Sequence, residues 1–145
     1  MNELAELNFT DDLAEAESAP ESSRWSIERR DGFVLHVTLG PLKAPAECFL
    51  ARLRWTDYPG TMPASVSFLD PESLNEGVAS AWPVAAGFRP PSDICANWTA
   101  EGFGLHPEWH KDPATRWDAS GNQILQSLRC LQHELDRSFE RRHAA

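Results

Sequence analysis

The sequence predicts an α+β fold, in which helices pack against one face or one end of an antiparallel sheet. Three observations support it: an N-terminal stretch of helix-forming residues, four apolar runs with strand-like alternation between residues 24 and 69, and a C-terminal run with apolar residues at helical spacing. The chain has 145 residues, the length of one ordinary domain. We therefore expect an N-terminal helix, a four-stranded antiparallel meander, a long irregular segment and a C-terminal helix.

The composition is that of a globular protein, with 41% hydrophobic and 10% aromatic residues. Six tryptophans are expected to anchor the core or to line a groove. No apolar run reaches the ~20 residues that span a bilayer, and the acidic N-terminus is unlike a signal peptide. The three cysteines are odd in number and far apart, so a disulfide framework is not expected. These features predict a cytoplasmic protein that does not bind a membrane.

The net charge of −9 is concentrated at the N-terminus. Residues 1–23 contain seven acidic residues and no basic residue, which leaves the rest of the chain at a net charge of −2. We divide the chain into an acidic N-terminal helix or arm, 1–23, and a body, 24–145. A nucleic-acid partner is not expected, because phosphate binding requires a basic face. The acidic stretch is interpreted as a solvated helix or tail, or alternatively as a docking segment for a basic partner.

The first predicted helix covers residues 2–17. Its alanines favour helix, and Leu4 and Leu7 are spaced to share one helix face. An alternative interpretation is that Thr10 caps a second short helix. Residues 18–23 are predicted to form a linker.

Four strands are predicted from the alternation of apolar residues and from the turn signals between the runs. Asp31-Gly32 is a signal for a two-residue hairpin turn, and Gly40-Pro41 ends the second run. In the third run, every second residue from Phe49 to Trp55 is apolar, which predicts one buried side. The predicted strands cover residues 24–30, 33–39, 48–55 and 64–69.

Residues 70–119 have little periodicity and are rich in proline, glycine and tryptophan. A segment of this length within a domain is usually either functional or disordered. Its four tryptophans argue for order, because disordered segments are poor in aromatic residues.

The C-terminal helix is predicted from a capping box formed by Ser120 and Gln123 and from a stripe of apolar residues. Basic residues near its end suit the negative pole of the helix dipole. The stripe comprises Ile124, Leu128, Leu131, Leu135 and Phe139, and the basic residues are Arg137, Arg141 and Arg142.

Several short motifs follow one another in a recognisable order. Asp57-Tyr58-Pro59 comes after the third predicted strand, Pro63 follows it, and Phe68 lies at the end of the fourth strand. An Ile94-Cys95 pair lies in the irregular segment. The remaining motifs are Trp25 in the first strand, Gly40-Pro41 after the second, and Trp117 before the C-terminal helix.

In this order of motifs, residues 24–136 resemble the ubiquitin-conjugating-enzyme (UBC-like) family, in the compact form of its bacterial relatives. The resemblance implies a UBC-like fold with an N-terminal helix, a four-stranded antiparallel meander, a long irregular active-site segment and a C-terminal helix. The family's His-Pro-Asn motif, which precedes its cysteine, is missing; the nearest residues are Val84-Ala85-Ala86-Gly87.

The resemblance also implies a reaction. Cys95 would carry the acyl group of a ubiquitin-like modifier as a thioester and pass it to an amine. The implied partners are an activating enzyme, the modifier and a target protein amine, with no small cofactor. A thiol suits this role because its thiolate is both a good nucleophile and a good leaving group. The family's asparagine is associated with stabilising the oxyanion, and Asn97, His106 or His110 are the candidates to replace it.

Two alternatives remain open. In the first, the chain is a catalytically inactive UBC-fold binding module that holds a ubiquitin-like protein or another partner. In the second, His106 and His110 bind zinc together with Cys95 or Asp112. Prolines at 107 and 113 argue against the regular helix that such a pair requires, and no metal site is predicted.

Different roles are expected for the three cysteines. Cys48 lies on the third predicted strand and Cys130 on the C-terminal helix, and both are interpreted as structural. A carrier cysteine must be accessible to two protein partners, so Cys95 is expected to react with thiol reagents well before Cys48.

Overall fold

A computed structural model describes residues 2–145 and contains one four-stranded antiparallel sheet, with its strands adjacent in chain order. The elements up to the fourth strand are α1 (Glu3–Ser18), β1 (Ser26–Arg30), β2 (Val34–Leu39), β3 (Phe49–Arg54) and β4 (Ser65–Leu69). The later elements are β5 (Pro83–Val84), β6 (Phe88–Arg89), β7 (Asp93–Ile94), α2 (Ala100–Leu105), α3 (Gln123–Ser138) and β8 (Arg141–Arg142). The predicted α+β arrangement of helix, antiparallel meander and helix is therefore confirmed.

The N-terminal helix runs without a break, so the alternative of a second helix beginning at Thr10 is wrong. The side chain of Asn2 caps it by accepting a hydrogen bond of 2.7 Å from the backbone N–H of Ala5. Its fully buried residues are Phe9 and Ala16. The face expected to pack, that of Leu4 and Leu7, instead points to solvent, with exposures of 68% and 59%.

An aromatic cluster explains why this face of α1 is buried. The Phe9 ring lies 5.2 Å from that of Phe33 and 4.9 Å from that of Tyr58, between centroids. The Tyr58 hydroxyl donates a hydrogen bond to the carboxylate of Asp12, and Arg29 forms an ion pair of 2.8 Å with Glu6. The acidic helix is thus packed on the body, and the division at residue 23 remains a division by charge.

The predicted strands agree with the observed ones to within one or two residues at each end. The first hairpin differs in its turn. Because Arg30 pairs with Val34, three residues form the loop instead of the predicted two. Gly32 takes a positive φ of 72° in this loop. Phe33 is the third loop residue, and its ring is buried, with an exposure of 9%. The inner face of the sheet carries the predicted apolar side of β3, Phe49, Ala51, Leu53 and Trp55, all buried.

The C-terminal helix packs its predicted apolar stripe into the core, where four of the five residues are fully buried within α3 and Phe139 follows directly after the helix. The predicted capping box is wrong. Asn122 caps the helix by accepting from the N–H of Leu125 at 2.9 Å. The side chain of Gln123 instead donates to the carbonyl of Gly60 at 2.7 Å, and the Ser120 hydroxyl donates to Asp118.

Two of the three arginines expected at the end of the helix lie beyond it. Arg141 and Arg142 form β8, which pairs with β5. The Arg142 guanidinium lies 4.2 Å above the ring of Phe49 and donates to Glu47 at 2.8 Å. These contacts fasten the C-terminal strand to the sheet.

The segment from 70 to 119 is ordered, and it contains β5, β6, β7 and α2 as well as short 3-10 turns. Four tryptophans of the chain are buried, Trp25, Trp55, Trp82 and Trp98. No helix within residues 2–145 has the length and apolar character needed to cross a membrane.

Candidate functional site

Cys95 follows directly after a small hairpin made of β6 and β7. Its backbone N–H donates a hydrogen bond of 2.8 Å to the carbonyl of Gly87, which extends the hairpin by one further pair. Across the hairpin, Arg89 and Asp93 form an ion pair of 2.6 Å. The turn of the hairpin contains Pro90 and Pro91.

Gly87 is required where the two ends of this hairpin meet. Its φ is +81°, a conformation that side-chain-bearing residues rarely adopt. A Cβ at this position would also lie 2.9 Å from the carbonyl oxygen of Cys95. The backbone of Cys95 therefore packs closely against residue 87, and any residue other than glycine would be destabilising at this position.

The N-terminus of α2 braces the cysteine from the other side. The buried Thr99 hydroxyl donates to the carbonyl of Ile94 at 2.6 Å and accepts from the N–H of Gly102 at 3.0 Å. Gly102 lies so close to the backbone of Ala96 that an added Cβ would overlap its carbonyl oxygen. Residues on both flanks of Cys95 are thus fixed by the same helix terminus.

The same helix is attached to the central sheet. Glu101 accepts hydrogen bonds from the hydroxyl of Ser65 at 2.6 Å and from the N–H of Val66 at 3.1 Å. Ser65 in turn accepts from Arg52 at 3.0 Å. Glu101 and α2 therefore link the backbone around Cys95 to β4.

The exposures of the cysteines differ from the expected order. All three are free thiols; Cys48 is exposed, whereas Cys95 and Cys130 are partly buried. Cys48 lies just before β3 instead of on it, which is why its side chain reaches solvent. Burial raises the pKa of the Cys130 thiol, in agreement with a structural role. The expectation that Cys95 is more accessible than Cys48 is therefore wrong.

Asn97 and His106 each have a partner other than Cys95. The amide of Asn97 donates to the carbonyl of Thr115 at 3.1 Å, so one of its two N–H groups is used to hold that turn. The ring of His106 stacks on Trp109 with 4.3 Å between centroids and bonds to Glu108 at 3.1 Å. An oxyanion role for either side chain stays a prediction.

The residues nearest to the place of the missing His-Pro-Asn motif are held elsewhere. Val84 pairs with Arg141, and the N–H of Ala86 donates to the hydroxyl of Ser138 at 2.9 Å. This stretch contributes the carbonyl of Gly87 to the cysteine but no side-chain amide.

The histidines considered for zinc binding lie on aromatic rings. The ring of His110 packs against that of Phe103 with 4.0 Å between centroids, and His106 stacks on Trp109 as described. Within residues 2–145, no three His, Cys, Asp or Glu side chains are grouped closely enough to hold a metal ion.

The hairpin before Cys95 carries one ion pair, between Arg89 and Asp93. The hydrogen bond and the negative charge of Asp93 raise the pKa of Arg89. Arg89 is exposed, so solvent screens this interaction.

The sequence indicates Cys95 as a candidate but does not indicate the residues that position its backbone, Gly87, Arg89, Asp93, Thr99 and Gly102. Two partial signals for them were available. Arg89 and Asp93 flank a Pro-Pro pair, as expected for a turn with an ion pair across it, and Thr99 with Glu101 is a pattern for a helix N-terminus.

Comparison with protein-family models, with curated proteins and with solved structures finds no match to this chain.

Proposed function

We propose that this protein is a ubiquitin-conjugating-enzyme-like cysteine acyltransferase, which carries a ubiquitin-like modifier as a thioester on Cys95 and passes it to an amine. The observation that carries the proposal is the position of Cys95. It is a partly exposed free thiol directly after a hairpin, and its backbone is braced from both sides. This hairpin follows a helix and a four-stranded meander, the element order of the family that the sequence resembles.

The reaction needs two substitutions at a carbonyl carbon. In the first, the Cys95 thiolate attacks the thioester that joins the modifier to its activating enzyme, and the sulfur of that enzyme leaves as a thiolate. In the second, a neutral amine of the target attacks the new thioester, its nitrogen loses a proton as the amide bond forms, and the Cys95 thiolate leaves. A thioester serves as the intermediate because it reacts with amines more readily than an ester does.

Rigid presentation of the sulfur supports this chemistry. A nucleophile held in one orientation loses little entropy when it attacks, which lowers the barrier. The hydrogen bonds from Cys95 to Gly87 and from Thr99 to Ile94 fix the backbone on both sides of the thiol.

A second candidate function is a binding module with the same fold and no turnover. Two observations favour it. The stretch from Val84 to Gly87 supplies no side-chain amide for an oxyanion, and an N–H of Asn97 is already bonded to Thr115. In this case Cys95 is a structural thiol, and the module holds a ubiquitin-like protein or another partner without forming a covalent bond.

A charging assay distinguishes the two functions. The full chain is mixed with a candidate activating enzyme, its modifier and ATP, and the products are separated with and without reducing agent. The transferase gives an adduct that the reducing agent removes, that is absent in Cys95→Ala and that persists in the matched controls Cys48→Ala and Cys130→Ala. If an activating enzyme that charges itself gives no adduct with the wild-type chain, yet the modifier binds without covalent linkage, the binding module is supported instead.

A further inference from the structure

The outward face of α1 has a regular stripe of exposed residues that the acyltransfer reaction does not use. The stripe lies opposite the buried residues Phe9 and Ala16. Its members follow one another at steps of three and four along the helix, which places them on one side. The stripe, called the α1 stripe below, comprises Leu4, Leu7, Asp11, Ala14 and Ser18, all of them exposed.

The apolar part of the α1 stripe is a pair of exposed leucines. Leu4 is 68% exposed and Leu7 is 59% exposed, and they are neighbours one helix turn apart. Beside them lies a cavity of about 420 Å³ lined by Asn2, Glu3, Glu6 and Leu7. Two adjacent exposed leucines with a hollow beside them form a surface that an apolar side chain can cover.

The charges around these leucines are unevenly balanced. On the inward side of α1, Glu6 is paired with Arg29, and Asp12 accepts from Tyr58. On the outward side, Glu3 and Asp11 belong to no ion pair within the described part of the chain, residues 2–145. The stripe is therefore apolar at its N-terminal end and has uncompensated negative charge at its flank and its centre.

We infer that the α1 stripe is a docking surface for a basic amphipathic helix of another protein. Alternating steps of three and four are the spacing at which two helices pack their side chains together. Leucines of the partner would cover Leu4 and Leu7, and an arginine or lysine of the partner would lie opposite Asp11. The charge at a central position of such a seam selects the partner and its register.

Two other occupants fit the surface less well. A second copy of this chain, packed on the same face, would bring one acidic stripe against another, and like charges at an interface are unfavourable. A membrane surface is disfavoured because its anionic lipids repel an acidic helix. The stripe contains no residue of the Cys95 site, so this inference stands whether or not Cys95 forms a thioester.

The test uses the full chain and synthetic helical peptides as probes. The first peptide has leucines at steps of three and four, an arginine placed to face Asp11, and lysines at its flanks. A scrambled peptide has the same composition without the stripe. In fluorescence anisotropy, we expect the first peptide to bind at least about tenfold more tightly than the scrambled one, since a few buried anchors dominate such interfaces.

Variants of the chain locate the binding site. The double variant Leu4→Ser/Leu7→Ser is expected to weaken binding by about tenfold or more, since these side chains are the anchors. Leu42→Ser is the matched control, because Leu42 is equally exposed at 68% and lies in the loop between β2 and β3 instead of on α1. Asp11→Arg should lose the first peptide and bind one in which the facing arginine is replaced by glutamate. All substituted residues are exposed, and an unchanged melting temperature confirms that the variants are folded.

Several results would overturn the inference. The scrambled peptide could bind as tightly as the first, or the double variant could bind like wild type or like Leu42→Ser. Sedimentation showing a dimer that Leu4→Ser/Leu7→Ser disperses would assign the stripe to a second copy of the chain. Binding of anionic vesicles through the same two leucines would assign it to a membrane.

Discussion

Gly87 illustrates how a residue without a functional group can fix the backbone next to a cysteine. It contributes a positive φ and a carbonyl that accepts from Cys95. This role of Gly87 cannot be recognised in the sequence, because a glycine that needs a positive φ looks the same there as any other loop glycine. Cys95 itself was identified from its place in the order of motifs.

Replacing Gly87 with alanine is expected to destabilise the protein by about 2 kcal/mol or more, from the strained φ together with the contact to the Cys95 carbonyl. Gly77→Ala is the matched control, since Gly77 has a φ of +77° but no atom within 4 Å of its added Cβ. Gly77→Ala should lower the free energy of unfolding only through the strained backbone conformation, by about 1–2 kcal/mol. Urea denaturation measures both. Equal losses for the two variants would contradict a tight contact between Gly87 and Cys95.

Asp136 connects the C-terminal helix to the loop before the third strand. Its carboxylate accepts from Arg24 at 2.7 Å, and also from the N–H of Leu42 and the amide of Gln132, both at 3.0 Å. The hydrogen bond from Arg24, the largest of these effects, lowers the pKa of Asp136 from its ordinary value of 3.8.

This lowered pKa predicts how the contribution of Asp136 depends on pH. The folded pKa is below the unfolded one, so the stabilisation is fully present above the unfolded value and is lost as the pH falls from about 4 through the folded value. At pH 7, Asp136→Asn should cost about 1 kcal/mol after allowance for solvent screening. The difference from wild type should shrink as the pH falls below about 4. Glu28→Gln, in the exposed pair with Arg30, is the control and should change stability little at any pH. A difference for Asp136→Asn that persists unchanged at low pH would contradict the assignment.

The elements of this fold differ in how far their sequences specify them. Strands β2 to β4 and helix α3 were predicted because their apolar residues repeat with a clear period. Strand β1 has only one apolar residue, Ile27, and its prediction depends on the neighbouring Trp25 and on the Asp31-Gly32 turn signal. Helix α2 was not predicted. It has only six residues, two of them glycine, and it forms because Thr99 caps it and Glu101 bonds to β4. Such an element depends on tertiary contacts that local sequence does not contain.

Gly102 and Gly104 lie on the same short helix and should respond in opposite ways to alanine. At Gly102 the added Cβ overlaps the backbone of Ala96, and at Gly104 it meets no atom within 4 Å. Gly102→Ala should therefore cost about 2–4 kcal/mol, because backbone on both sides must move. Gly104→Ala should stabilise by up to about 1 kcal/mol through helix propensity.

Thermal unfolding followed by circular dichroism measures both α2 variants. Gly102→Ala should also change the rate at which Cys95 reacts with iodoacetamide, whereas Gly104→Ala should not. If the two variants have the same stability and the same thiol reactivity, α2 does not brace the cysteine in the way described.

For the molecule as a whole, the core extends from the N-terminal helix through the sheet to the C-terminal helix. Phe9 of α1, Leu35 of β2 and Leu128 of α3 belong to one buried cluster. The charge pattern suggested a division at residue 23, because charges can be counted directly along the sequence. The packing of α1 cannot be deduced in this way. Phe9 joins the core through contacts with residues that come later in the sequence, Phe33, Trp55 and Tyr58.

The shared core predicts a large effect for a substitution within the acidic N-terminal region. Phe9→Ala should cost about 3–5 kcal/mol, the usual value for removing a buried aromatic side chain. Leu4→Ala, on the opposite face of the same helix, should remain within about 0.5 kcal/mol of wild type. Both free energies follow from urea denaturation. A small effect of Phe9→Ala would mean that the N-terminal helix is a separable arm.

The most direct test of the central claim is the covalent chemistry of position 95. Cys95→Ser replaces the sulfur by oxygen, so that a carrier should form an ester in place of a thioester. Intact mass spectrometry after incubation with an activating enzyme, its modifier and ATP would then show one added modifier that survives thiol treatment and is released by mild base. Peptide mapping would place that ester on position 95. An unmodified Cys95→Ser chain, with a thiol-labile adduct on wild type that maps to Cys48 or Cys130, would contradict the assignment of Cys95 as the acyl carrier.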